Sequence, residues 1–150
     1  MGISAKQYQM RLQPILNSQT MEDLVKNIIV SDQKTLKEEK ISEFEHGLKP
    51  DGKRIGQYRD LFYAQIKERM NPLAGGYVDL LLTRSFSNKM FLIGNNRKFI
   101  FDSSDSKTPN LKAKYGLEIM SISQQWFDTR QSNIYRLVLQ QQIKDIYKIA

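Results

Sequence analysis

The chain has 150 residues, 40% of them hydrophobic and none of them cysteine. That length suits a single domain with a core of its own, and the lack of cysteine excludes disulfide frameworks and thiolate metal sites. No stretch approaches the roughly eighteen apolar residues of a membrane span, and MGISAKQYQMRLQPIL lacks the apolar run of a secretory signal, so folding in a reducing cytoplasm is expected.

The formal net charge of +7 is unevenly spread. Residues 49 to 114 hold 13 Lys and Arg against 6 Asp and Glu, while the flanks cancel. Lys53, Arg54, Arg97, Lys98 and Lys107 are the candidate basic contact surface. Such a region meets nucleic acid, an anionic surface or an acidic protein, or simply keeps a small domain soluble.

In chain order, residues 3 to 17 read as a helix that Pro14 breaks or bends. Ile3, Met10, Leu12, Ile15 and Leu16 form no single stripe, so this arm is expected to order against a neighbour. Thr20 then offers a cap before Glu22 and Asp23, acids suited to a helix N-terminus. Leu24, Val25, Ile28 and Ile29 share one side of the helix that follows. Ile41, Phe44 and Leu48 cluster on a different azimuth. Either the helix breaks near Ser31, or one long helix turns its two halves to different partners. Gly47 is a natural stop.

Pro50-Asp51-Gly52 marks a turn. A helix over about Tyr58 to Met70 follows, with Leu61, Phe62, Gln65, Ile66 and Met70 near one another on it and Asn71-Pro72 closing it. From Tyr77 to Asp102 comes the densest run of strand-formers, in three pieces: YVDLLLT, KMFLIG and KFIFD. Val78, Leu80 and Leu82 alternate with Asp79, Leu81 and Thr83, the period of a strand. Gly94-Asn95-Asn96 suits a hairpin turn, and Phe91, Ile93, Phe99 and Phe101 are expected to continue one face of the sheet. LKAKYG reads as a short helical turn ending at Gly116. A terminal helix is expected from Ser121 or Ser123, with Trp126, Phe127, Ile134, Leu137 and Val138 inward and Ile143, Ile146 and Tyr147 on the opposite side.

The expected fold is α+β: a small antiparallel β-meander covered by helices, with N-terminal helices and a long C-terminal one. It is expected to be a single domain, with a helical arm over 1–48, an α/β core over 49–120 and a terminal helix over 121–150. A helix whose apolar face changes sides asks for a second partner, which makes Ile143, Ile146 and Tyr147, with Ile41, Phe44 and Leu48, the candidate subunit interface.

Catalytic constellations are sparse. His46 is the lone histidine, which excludes histidine triads and multi-histidine metal sites. Neither GGYVD nor IGNNRK has the spacing of a phosphate loop. FDSSDS lacks the Gly and the terminal Glu of a calcium loop. No enzymatic role, metal or cofactor is expected.

The stretch YRDLFYAQIKERMNPLAGGYVDLLLTRSFSNKMFL, with IFDSSDSKTPNLKAKYGLEIMSIS after it, resembles tailed-bacteriophage neck and tail-completion proteins, especially those of phages infecting Bacteroidetes. There a "YA…K" helix precedes strands reading "VDLRLTGDF" and "F.V", and then "I.S.D.K…L..KYG". The resemblance spans roughly residues 50 to 125. It falls on Tyr63, Ala64, Asp79, Leu82, Thr83, Phe86, Ser103, Asp105, Lys107, Leu111 and Lys114-Tyr115-Gly116. One position departs: Arg84 stands where the family has Gly in the turn before Phe86.

The resemblance implies a virion structural protein made in the host cytoplasm. It would form a head–tail connector ring, usually of twelve or six copies, as the ring proteins of crAss-like phages do. Portal protein and other neck or tail proteins would be its partners, with the basic region facing an acidic partner or the DNA in the channel. The alternative is a small basic nucleic-acid-binding protein using Arg97 and Lys98, although no groove-reading motif is present.

Overall fold

A computed structural model describes residues 6, 7, 10, 13, 18–81, 83–95 and 98–147. The helix expected over 3–17 lies outside these residues but for four isolated positions. Among the described residues from Ser18 on, the fold is α+β, with six helices and a two-stranded antiparallel sheet. The helices are α1 (Ser18–Ser31), α2 (Gln33–Glu45), α3 (Leu61–Met70), α4 (Ser85–Asn88), α5 (Thr108–Tyr115) and a long C-terminal α6. α6 is α-helical over Gln124–Arg130, takes a π turn over Gln131–Tyr135 and is α-helical again over Arg136–Tyr147. The strands are β1 (Met90–Asn95) and β2 (Lys98–Ser103). Two compact units emerge, one of Met1–Asp32 with Asp128–Ala150 and one of Gln33–Phe127.

In the first unit, α1 packs against α6. Of the two alternatives the sequence left open near Ser31, the structure takes the break. The Ser31 hydroxyl bonds back to the Asn27 carbonyl at 2.7 Å, a contact that bends helices. Asp32 then leaves the helix, and its carboxylate accepts both Nε and Nη2 of Arg130 and the Tyr135 hydroxyl. Burial first, and then the bond to Asp32, push the Tyr135 phenol well above its ordinary range.

The π turn corrects the expected inward face of α6. The covered side steps from Arg130 to Tyr135, five residues on, and continues through Leu139, Gln142, Ile143 and Tyr147. Ile134, Leu137 and Val138, expected inward, are exposed. Counting 100° per residue loses phase wherever one residue is added to a turn.

The second unit is organised around α2 and the hairpin. α2 ends in a Schellman motif: Gly47 N–H bonds Phe44 O at 2.9 Å and Leu48 N–H bonds Glu43 O at 2.9 Å. Gly47 has φ +66°, and an added Cβ would meet the Val78 carbonyl at 3.1 Å. The turn expected at Pro50-Asp51-Gly52 is present, with Gly52 N–H on Lys49 O at 2.9 Å and Leu48 bridged to Arg54.

The hairpin pairs Asn95 with Lys98 and Met90 with Ser103, so odd residues of β1 share a face with even residues of β2. Phe99 and Phe101 therefore lie opposite Phe91 and Ile93, not beside them as expected. Met90, Phe101 and Ser103 are buried on one face, while Phe91 and Ile93 are exposed on the other. Gly94 faces Phe99 across the ladder, where a Cβ would stand 2.6 Å from the ring. The tip at Asn96-Arg97 lies outside the described residues.

The described part of the expected first strand, Tyr77–Leu81, is not a strand of a meander. It makes one bridge, Tyr77 to Gln57, and then turns. Leu80 takes the left-handed conformation, φ 54°, and the Leu81 amide bonds the Asp79 carboxylate at 3.2 Å. Val78 and Leu81 still reach the core, with Leu36, Phe44, Phe86, Met90, Phe101 and Ile119. The Phe44 and Phe86 rings lie 5.9 Å apart.

Candidate functional site

α3 turns Lys67 inward. Asp60 caps the helix through the Tyr63 amide at 3.0 Å. This sets Lys67 against Asp79, Nζ to Oδ1 at 2.8 Å, with both side chains almost fully buried. The same carboxylate accepts Asn71 Nδ2 at 3.1 Å, and that nitrogen also reaches the Glu45 carbonyl at 2.8 Å. One joint thus ties the end of α2, the end of α3 and the Tyr77–Leu81 segment. Burial alone would raise the Asp79 carboxyl, but the bonds from Lys67, Asn71 and the Leu81 amide outweigh it and hold it below the usual carboxylate range. Burial and the Asp79 charge push the nearby Tyr58 phenol well up.

With Lys67 inward, the side of α3 that carries Phe62, Ile66 and Met70 points out. Phe62 is 71% exposed, Met70 61%, and Leu73 in the 3₁₀ turn after it 58%. α3 holds an apolar row in water while burying a lysine.

A second polar joint binds α4, the end of β2 and the start of α5. The Ser103 hydroxyl donates to Phe86 O at 2.8 Å, and the Asp105 carboxylate accepts the Ser85 hydroxyl and the Lys107 amide, the latter at 3.0 Å. These bonds hold the Asp105 carboxyl low. Asp102 pairs with Lys112 Nζ at 2.7 Å, so the two acids of FDSSDS are engaged by the chain itself. Among the described residues no cluster of three His, Asp or Glu could hold a metal ion. No helix there is long and apolar enough to cross a membrane.

Arg84, at the position where the resembling family has Gly, adopts the left-handed conformation at φ 54°. The turn into α4 is kept by a residue that pays strain for it.

No family model, curated protein or solved structure matches this chain.

The candidate interface residues fall in different surroundings. Phe44 has no accessible surface and Tyr147 is buried, so neither offers a face to a second chain. Ile41, Leu48 and Ile143 are half-buried, and Ile146 is exposed.

Two members of the candidate basic surface are engaged within the chain. Lys53 lies 3.6 Å from Asp51, and Arg54 donates to His46 O at 2.6 Å while stacking on Tyr77. Arg97 lies outside the described residues. Lys98 and Lys107 are exposed.

Sequence reasoning had grouped Phe62, Ile66 and Met70 correctly but missed the Lys67–Asp79 pair, which decides the direction they face. The signal was a lysine opposite the apolar cluster on the helical wheel.

Proposed function

We propose that this protein is a structural subunit of a tailed-phage head–tail connector, assembling as a ring that joins portal to tail through protein contacts. The observation that carries the reading is the exposed apolar row of α3, Phe62, Ile66, Met70 and Leu73, inside the stretch that resembles neck and tail-completion proteins. Rows of this kind on a charged globule are covered by partners. The resemblance adds that several of its positions, Asp79, Phe86, Ser103 and Asp105, are buried joints of the fold, as expected for a shared scaffold rather than a shared reaction site.

The test has two arms. The purified chain is sized by sedimentation and imaged by negative stain, and purified particles are searched for it by mass spectrometry. Closed rings, or the chain present in particles, support the reading. A monomer absent from particles that binds DNA with affinity falling steeply in salt overturns it in favour of a nucleic-acid-binding protein.

A further inference from the structure

Two apolar helical rows are exposed, one on each unit: an exposed arginine stands at the edge of the first, and an exposed aspartate stands within the second, with Lys144 at its far edge. On α3, at 100° per residue, Arg69 falls between Phe62 and Gln65, at the Phe62 edge of the row of Phe62, Ile66 and Met70. Arg69 is exposed and has no acidic partner among the described residues. From the end of the π turn of α6, Ile134, Leu137 and Val138 form the second row. Gln141 and Asp145 continue it, with Asp145 falling between Gln141 and Val138 in azimuth. The exposed Asp145 carboxylate accepts Gln141 Nε2 at 2.8 Å.

We infer that the α3 face of one copy docks on the α6 face of the next, with Arg69 meeting Asp145. Phe62 precedes Arg69 by seven residues and Val138 precedes Asp145 by seven, about two helical turns in each case. A parallel approach brings Phe62 onto Val138 and the Arg69 guanidinium onto the Asp145 carboxylate in one register. A pairing of α3 with α3 in the same register sets Arg69 against Arg69, and like charges repel. Because the two faces differ, the contact is heterologous, and each copy keeps one face free for a further copy until rotation closes the ring. The apolar rows supply affinity, while the charge pair sets direction and excludes the like-faced dimers.

The inference rests on the ring reading for the expectation that the chain self-associates, and it adds which faces meet. The experiment is charge reversal in the full chain: Arg69→Glu, Asp145→Arg, the double variant, and a one-to-one mixture of the two singles, each sized by sedimentation and checked for folding by thermal melting. Both positions are exposed, so the melts should match that of the unaltered chain. Each single variant should associate about tenfold or more weakly, and both the double variant and the mixture should regain the original assembly. Singles that assemble as well as the parent, or a double variant and mixture that stay dissociated, overturn the face assignment and leave the ring reading standing. A parent chain that stays monomeric at every concentration overturns the assignment too, and the particle search then judges the ring reading separately.

Discussion

Lys67 and Asp79 show how a single contact sets the direction of a whole helix. A carboxylate sealed from water is tolerated only with its partners in place, so Lys67→Met should cost about 3–5 kcal/mol in chemical denaturation. Replacing both members, Lys67→Met with Asp79→Asn, should cost less than Lys67→Met alone, because no unpaired charge is left behind. The Asp79 carboxyl is depressed in the folded chain. Its contribution is therefore complete above the ordinary aspartate value of about 3.9 and is lost as pH falls toward the lower folded value. The melting temperature of the parent should drop on acidification through that window, and that of the double variant should drop less. Arg84 is the other informative position. Arg84→Gly removes left-handed strain at the cost of an exposed contact to Glu45 at 3.5 Å and of added freedom in the unfolded chain. A net gain of about 0.5–1 kcal/mol is expected from thermal melts.

At the scale of elements, legibility followed how local the cause was. The stop at Gly47, the Pro50-Asp51-Gly52 turn and the hairpin strands rest on residues within a few positions of one another, and all were readable. Asp79 falls by alternation with Leu81 and Thr83 on the mixed face of a strand, opposite Val78, Leu80 and Leu82. Its partner lies twelve residues back on α3, and alternation carries no trace of that pairing. The hairpin faces were misassigned because Gly94 and Asn95 belong to the ladder, with Asn95 paired to Lys98: two residues separate the paired ends where a Gly94-Asn95-Asn96 turn leaves three, and that change of one reverses which residues share a side. The break between α1 and α2 was visible as a change of azimuth, but its cause, Asp32 held by Arg130 and Tyr135, lies about a hundred residues along the chain. Asp32→Ala should destabilise by about 2–3 kcal/mol through loss of charge-assisted bonds and the stranded guanidinium, read as a shifted denaturation midpoint.

For the molecule as a whole, the positive excess concentrated between residues 49 and 114 was legible, but its use was not. Lys49, Lys53, Lys67, Arg84, Lys89 and Lys112 each sit within 4 Å of a carboxylate, so much of the charge holds the fold together. The candidate site was half legible: the apolar members of the α3 row were grouped from the sequence, while its outward direction came from the pair behind it. The widened coil at Gln131–Tyr135 also gives the chain one place where its length is adjustable. Five residues there and four in an ordinary coil both bring the backbone round once, so omitting the exposed Asn133 should let the helix regularise with Tyr135 still facing inward and change stability by only about 1 kcal/mol. Omitting the equally exposed Gln140 has no such slack to draw on. It swings everything downstream by about 100°, pulls Ile143 and Tyr147 off their packing, and should lower the melting point far more.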